Sequence, residues 1–458
     1  MALPFSQVPC ESQQPASSLE PLRFEWVIGM VRRGLSQEQV KAPLSRAVSP
    51  DVRLLFVTRV TRLFAYGVLS VVLVLYLAEL GLSDARIGIL LTLTLIGDTA
   101  VSLWLTTRAD RIGRRRMLIV GAVLMVLAGL TFALTRNHLF LVIAATIGVI
   151  SPSGNEVGPF LPIEQAALSQ IVPGGRRTQV FAWYTLAGSF ATAAGSLVGG
   201  VLVQTLQQTR MTPLNSYRAA VLIYGILGLV MAGLFTRLSV ATEAESREGA
   251  SEPSTPSSRL FLGLNRSRGV VLKLSALFSL DAFAGGFVIQ SIAAYWFHLR
   301  FASTPATLGA IFFGANILAG LSSLLAARVA ARIGLINTMV FTHLPSNLLL
   351  ILVPLMPNVT LATLVLFLRF SISQMDVPTR QSYTMAVVSP DERSAAAGVT
   401  GVARTTGAAL SPMIAGVLLG HGALINVPFF LAGSLKILYD LLLYRKFIRL
   451  RPPEERPR

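Results

Sequence analysis

The stretch Thr106–Leu118, TTRADRIGRRRML, sets five arginines and one aspartate between two long apolar runs. Charges that dense do not enter hydrocarbon, since each costs at least about 2.5–3.5 kcal/mol at the centre of a spanning helix. The stretch is therefore a short loop at a membrane surface, and the apolar runs flanking it cross the bilayer. An excess of arginine in a short loop marks the cytoplasmic side, so the same residues set the orientation. Arg-Ile-Gly from this loop, Arg111–Gly113, recurs at Arg332–Gly334 within AARVAARIGLINTM from Ala326. That recurrence is the first sign of two related parts.

Composition agrees. The chain is 53% hydrophobic and 13% charged, against about 25% charged in a soluble protein, and its mean hydropathy is +0.64. The net charge of +17 would suit nucleic acid on a soluble protein. Here the arginines sit in short loops and the tail, where they orient the chain and meet anionic lipid, so no nucleic-acid partner is expected. One cysteine, Cys10, allows no internal disulfide and no cysteine metal cluster. His138, His298, His343 and His421 show no ligand spacing; no metal and no cofactor is expected. The first fifty residues, with Pro4, Pro9, Pro15, Pro43 and Pro50, hold no apolar core of signal-peptide length.

Runs of about 20 apolar residues, each able to span roughly 30 Å of hydrocarbon, predict twelve crossings. They fall near 53–80, 88–107, 117–135, 139–172, 179–206 and 217–237, then 270–299, 308–330, 338–357, 359–388, 394–420 and 425–444. The expected organisation is a polar cytoplasmic segment 1–52, a six-helix half 53–237, a cytoplasmic linker 238–269 rich in Ser, Pro, Glu and Arg, a second six-helix half 270–445, and a basic tail 446–458. One set of alternate loops carries Arg108, Arg111, Arg114, Arg115, Arg116, Arg176, Arg177, Arg328 and Arg332, and the tail adds Arg445, Lys446, Arg449 and Arg451. The other set has only Arg86, Arg136, Arg210 and Arg300. Both termini are therefore expected in the cytoplasm.

The repeat extends beyond one loop. GSLVGGVLV at Gly195 aligns with SPMIAGVLL at Ser411, and PIEQAALSQIVPGGRR at Pro162 with PTRQSYTMAVVSPDER at Pro378, allowing one inserted residue. Both matches lie at one offset, which predicts an all-α polytopic membrane protein of two pseudo-symmetric six-helix halves.

With these features the chain resembles the major facilitator superfamily over roughly residues 53–445. The family's loop between helices 2 and 3 reads about G-x-x-x-D-R-x-G-R-R. Asp110, Arg111, Gly113, Arg114 and Arg115 match it, and Thr106 replaces the first glycine. The drug exporters of the family carry a G-P-x-x-G-G-like signature in helix 5; Gly195, Gly199 and Gly200 match, with Ser196 in place of proline. DVPTRQ in helix 10 is similar to a segment of several exporter branches. The resemblance implies alternating access, a central cavity lined by helices 1, 4, 7 and 10, and helices 2 and 11 as neighbours across the halves. It also implies that Asp110 anchors its loop against the start of helix 11, where a helix N-terminus favours a carboxylate.

A charge inside a spanning helix needs a partner or a wet cavity. Candidates for proton coupling or substrate contact are Asp281, Glu156, Glu164, Asp376, Arg380, Arg369 and Arg62. Candidates for gating are Asp98 and Arg404, with Asp110, Arg111, Gly113, Arg114 and Arg115 of the loop. Arg62, Asp98, Glu164, Arg380 and Arg404 fall at one depth, about nine or ten residues from the cytoplasmic ends of their helices, roughly 14 Å. That predicts an inner ring, with Arg62–Glu164 pairing inside the first half and Asp98–Arg404 pairing across the halves. Competing structural readings stand beside these. Arg59 and Arg62 can snorkel, Asp376 and Arg380 can satisfy one another at i,i+4, and the arginine loop can serve topology alone. Lys436–Asp440, also i,i+4, is expected as a local pair. Gly195, Gly199 and Gly200 are expected to pack helix 5 on the opposite half. Trp183, Tyr184, Phe283, Tyr295 and Trp296 can line a cavity, with Tyr295 and Trp296 favoured as interface anchors.

No nucleotide loop of the G-x-x-x-x-G-K-[ST] form is present, so neither an ATP-driven pump nor an enzyme is expected. The expected function is proton-coupled export of a small organic or drug-like molecule by a monomer in the inner (plasma) membrane. The alternatives are uptake or exchange of a small anion and, from another class, a transporter-like receptor or lipid-handling protein.

Overall fold

The computed structural model describes residues 49–155, 158–243, 264–389 and 392–450. The chain divides into Met1–Ser49, which apart from Ser49 lies outside the described residues, and one compact unit from Pro50. That unit is all helix in its long elements: α1 Pro50–Glu79, α2 Asp84–Ile112, α3 Arg114–Leu134, α4 His138–Ile147, α5 Phe160–Ile171, α6 Gly174–Gln208 and α7 Pro213–Phe235. There follow α8 Arg268–Gly286, α9 Gln290–Phe301, α10 Pro305–Ile333, α11 Leu335–Leu352, α12 Val359–Ser373, α13 Asp376–Val387, α14 Arg393–Leu419 and α15 Val427–Phe447. Eleven segments of the described chain are long and apolar enough to cross a membrane. The fourth crossing is divided between α4, a shorter apolar helix, and α5.

Lipid-facing stripes show why these helices stand in a bilayer. Leu127, Leu130 and Leu134 on α3, Ile226, Leu229 and Val230 on α7, and Leu361, Leu364 and Leu368 on α12 are exposed at helical spacing, a pattern water does not tolerate over so much surface. Outer helix starts are capped by side chains: Asn137 accepts from Leu139 N, Thr212 from Asn215 N, Thr304 from Thr307 N and Asn358 from Leu361 N, with Pro213 and Pro305 in the first turn. On the arginine-rich side, Gly113 and Gly334 both take positive φ, 116° and 86°, to reverse the chain between consecutive spans. They are the glycines of the two Arg-Ile-Gly repeats.

The packing has the symmetry of a duplication. In the first half α1 packs on α6 and α3 on α7; in the second α8 packs on α14 and α11 on α15. Across the halves, α2 meets α14 and α6 meets α10, two contacts that the duplication interchanges, while α9 rests on α1.

Three crossings expected as continuous helices are interrupted. Span 4, expected over 139–172, is divided: α4 ends at Ile147 and α5 starts at Phe160. Pro152 and Pro159 lack donors, and Val149, Gly154 and Gly158 take positive φ (53°, 68° and 82°). Span 7 breaks at 287–289 after Gly285 and Gly286, and span 10 at 374–375, where the ring of Pro378 opposes the Gln374 carbonyl four residues earlier. Non-helical backbone at membrane depth is tolerated only where protein or a wet cavity satisfies it, so the three breaks must lie against one or the other.

The halves seal at their outer ends. Gln290 Nε2, on α9, donates to Ser70 Oγ (2.8 Å) and Ser196 Oγ (3.0 Å), and Ser291 Oγ donates to the Ser70 (2.7 Å) and Pro152 (2.6 Å) carbonyls. Tyr295 OH donates to Asp84 at 2.8 Å. Toward the arginine-rich side α14 leaves its partner half: Gly398 and Gly401 have open space at their α-carbons. Among the described residues, the hydrogen bonds between the halves thus gather at their outer ends.

Candidate functional site

Two buried charge clusters stand in the bundle, one in each half. In the first, both terminal nitrogens of Arg62 reach Glu164, NH1 to Oε1 at 2.8 Å and NH2 to Oε2 at 2.7 Å. Both side chains are 0% exposed. Thr58 Oγ1 donates to Oε1 at 3.1 Å and Tyr184 OH donates to Oε2. The Arg62 guanidinium lies 4.7 Å over Phe160, and that of Arg59 4.3 Å over Tyr184. Arg62 does not snorkel; it ties α1 to α5 with a planar, fully satisfied fork.

The second cluster centres on Asp281 of α8. Its Oδ1 accepts from Lys436 Nζ at 2.5 Å, and its Oδ2 from Arg380 at 3.2 Å and Arg404 at 3.4 Å. Arg380 also donates to Asp376 at 2.9 Å. His343 Nε2 stands 3.9 Å from Asp281 Oδ1, and its Nδ1 meets Asp440 Oδ1 at 2.8 Å. Asn347 Nδ2 donates to the other Asp440 oxygen at 2.9 Å. One carboxylate thus gathers cations from α13, α14 and α15, with the imidazole of α11 beside it. The side chain of Arg404 is 34% exposed and makes the longest ion pair with Asp281; those of Arg380 and Lys436 are buried. Arg404 is therefore the most accessible of the three cations on Asp281.

Several expectations are corrected. Asp98 does not pair with Arg404, which turns to Asp281 inside its own half. Asp98 Oδ2 instead accepts from the Gly158 backbone N–H at 3.2 Å, a donor freed by the break in span 4. The five charges of the expected ring separate: Arg62 pairs with Glu164, Arg380 and Arg404 join Asp281, and Asp98 holds the Gly158 backbone, because equal depth places residues in one plane without placing them together. Lys436 and Asp440 do not pair, since each finds a closer partner on a neighbouring helix. Asp110 is not docked on the start of α14. It is 67% exposed and holds Arg114 Nε at 2.8 Å, while Arg114 NH1 reaches Gln170 at 2.8 Å. Glu243 of the linker caps α3, accepting from Arg114 N at 2.6 Å and Arg115 N at 3.2 Å. Gly195 and Gly199 pack on Phe64 and Val68 of their own half; only Gly200 reaches the other half, at Pro305 and Gly309. Tyr295 and Trp296 are buried, with Trp296 Nε1 donating to Asn426 at 3.1 Å, so neither anchors a membrane interface. Trp183 is exposed, and Phe283 packs edge-on against Phe287. Arg111 and Arg115 line a surface cavity of about 360 Å³ with Asp110, Gly113, Arg116 and Glu243. Glu156 lies outside the described residues. Among the described residues no group of His, Cys, Asp and Glu could hold a metal ion.

His343 and Gln290 carry contacts that sequence reasoning missed. His343 and Asn347 lie at i,i+4 on one face of an otherwise apolar span, a signal that was available. Gln290 opens a half-helix after a Gly-Gly pair, which is visible only once the break is known. At the start of α14, outside the membrane, Glu392 accepts from the backbone N–H groups of Asn265, Arg266 and Ser267, each at 2.8 Å. Desolvation opposes its ionisation, but these donors outweigh it and hold its carboxyl below the usual glutamate value.

The exposed Asp110–Arg114 pair should contribute little. Asp110→Asn is expected to shift the free energy of unfolding by less than about 1 kcal/mol, read by thermal unfolding in detergent.

The sequence profile described as Major Facilitator Superfamily matches residues 55–403. The chain is 30% identical over 427 residues to the uncharacterized membrane protein YJR124C of Saccharomyces cerevisiae, covering 88% of this chain and 95% of that protein. It is 24% identical over 166 residues to the quinolone resistance protein NorA of Staphylococcus aureus, which is 36% of this chain and 40% of that protein. Among solved structures, the nucleoside transporter NupG superposes with a TM-score of 0.67 at 14% identity, over 87% of this chain and 99% of that one.

Proposed function

Because the chain belongs to the Major Facilitator Superfamily, we propose that it exports a small organic solute in exchange for protons, with Asp281 as the coupling carboxylate. The coarser statement needs no proposal: this is a multi-pass membrane protein and a secondary-active transporter of small solutes.

The observation that carries the reading is the set of cations around Asp281. In this structure its carboxylate holds Lys436, Arg380 and Arg404 together. A proton on that carboxylate removes the charge that binds them, so the protonated cluster has less reason to keep this arrangement. Proton binding shifts a conformational equilibrium only through such a difference between states. Arg404, longest in its contact and most exposed, is the contact that gives first. Glu164 suits this role less, because it and Arg62 are both 0% exposed, whereas the Asp281 cluster reaches the surface through Arg404, 34% exposed. Similarity to a quinolone resistance protein over about a third of the chain is in keeping with a small organic solute and with export. Uptake or exchange of a small anion is the competing reading, and Arg369 favours an anion.

The test is substrate-induced proton release from the purified protein in detergent, read with a pH-sensitive dye across cationic, neutral and anionic compounds. Wild type is expected to release protons with at least one class, Asp281→Asn to release none, and Glu164→Gln to retain release where it folds. Undiminished release from Asp281→Asn would remove Asp281 from the mechanism.

A further inference from the structure

Arg369 is an intramembrane cation that the ion-pair clusters leave out. In the second half the carboxylates Asp281, Asp376 and Asp440 face three paired or neighbouring cations, Arg380, Arg404 and Lys436. Arg369 is one cation more. Among the described residues it makes no hydrogen bond or ion pair, and its Nε is buried without a partner. It feels Asp376 and Asp281 electrostatically but pairs with neither.

Its position is central. Arg369 lies about ten residues from the outer start of α12 at Val359, roughly 15 Å along the helix and so near the middle of the bilayer. It is partly buried, beside the buried positions Ala362, Leu366 and Ser373 and off the exposed stripe of Leu361, Leu364 and Leu368. Its guanidinium sits 4.8 Å over Phe370. About one turn on, span 10 breaks at 374–375. At mid-bilayer a charge persists only beside a counter-charge or a wet cavity, and marks a solute path by default.

We propose that Arg369 is the solute-binding cation of the transport cavity, and that the solute is a small organic anion: an oxyanion on an apolar body. This rests on the reading of the chain as a transporter of a small organic solute and names the class of that solute. A guanidinium does not give up its proton in a protein, so Arg369 is no proton carrier. Its planar fork matches a carboxylate or phosphonate with two parallel hydrogen bonds, and Phe370 offers an apolar neighbour to the rest of the molecule. Exchange of an outgoing monoanion for an incoming proton carries two positive charge equivalents inward, so an inside-negative membrane potential accelerates it.

The test uses the full chain, purified in detergent, titrated with benzoate, phenylphosphonate, benzamide and benzylammonium and followed by tryptophan fluorescence. Benzoate or phenylphosphonate is expected to bind wild type more tightly than benzamide does. Arg369→Gln is expected to weaken that binding about tenfold or more while leaving benzamide unchanged, and Arg369→Lys to fall between the two. Where Arg369→Gln elutes aggregated, Arg369→Lys decides, and an affinity equal to wild type overturns the proposal. Anions that bind no better than benzamide overturn it as well. Binding needs no proton gradient, so the two readings fail separately. Anion binding through Arg369 with no proton release defeats proton coupling alone. Proton release with benzylammonium and not with either anion defeats the anion alone.

Discussion

Glu164→Ala is expected to lower the free energy of unfolding by about 3–5 kcal/mol, the usual consequence of removing one partner from a fully buried ion pair. The carboxylate accepts from both terminal nitrogens of Arg62, from Thr58 and from Tyr184, and the pair is 0% exposed. Without it the guanidinium is left in the protein interior over Phe160, with no water to take over its hydrogen bonds, and α1 loses its polar tie to α5. The loss belongs to the stranded charge more than to the pair itself. The double replacement Arg62→Met with Glu164→Leu, similar in volume and uncharged, is therefore expected to recover most of the stability. Thermal unfolding of the purified variants in one detergent measures both. A Glu164→Ala protein within about 1 kcal/mol of wild type would mean that water reaches this site, and the pair would then be a gate contact and not a brace.

How much of this was legible in the sequence depends on where the backbone stays helical. Arg62 and Glu164 were paired from depth alone, and depth served because α1 and α5 are regular on the arginine-rich side of the break. Asp98 and Arg404 also share a depth, and there the argument failed. The residues 148–159 were read as helix, so the unpaired Gly158 N–H that takes Asp98 was invisible. Pro152, Gly154, Gly158 and Pro159 were the available warning, since a helix rarely carries four such residues within eight positions. Lys436–Asp440 failed for a reason of magnitude. An i,i+4 pair stabilises by only about 0.2–0.5 kcal/mol, too little to hold Lys436 from Asp281 or Asp440 from His343. Asp281 was named as a candidate because it is a charge inside a spanning helix; its three cationic neighbours and the His343 ring come from four other helices, and no pattern along the chain announces them. The superfamily, by contrast, rests on local features. The Asp-Arg-x-Gly-Arg-Arg loop and the common offset of the repeats are each contained in short stretches that no tertiary contact can rewrite.

Gly200→Val is expected to abolish transport by keeping the outer seal from closing. A β-carbon at Gly200 would stand 2.2 Å from the Pro305 carbonyl oxygen and 2.9 Å from the Gly309 α-carbon, and one at Gly309 would stand 2.7 Å from the Ser196 carbonyl oxygen. These obstacles are backbone on both sides, so no side chain can turn away, and the halves must part. The pseudo-equivalent contact at α2 and α14 is built the same way: a β-carbon at Gly88 meets the Pro412 carbonyl oxygen at 2.5 Å. Overpacking of this kind typically costs about 1–3 kcal/mol, and each 1.4 kcal/mol moves a two-state ratio tenfold. Because the clash is between the halves as they meet here, the population of this outward-closed arrangement should fall about tenfold to a hundredfold. The hydrogen bonds of Gln290 to Ser70 and Ser196 lie behind that seal and should become accessible with it. In a Cys10→Ser background, the thiol of Ser291→Cys is expected to react faster from outside with a membrane-impermeant maleimide when Gly200→Val is also present. Gly422→Ala, where a β-carbon meets nothing within 4 Å, should leave the rate unchanged. Equal labelling in the Gly200→Val and wild-type backgrounds would show that the helices slide past the added methyls, and the seal would then rest on Gln290 and its serines.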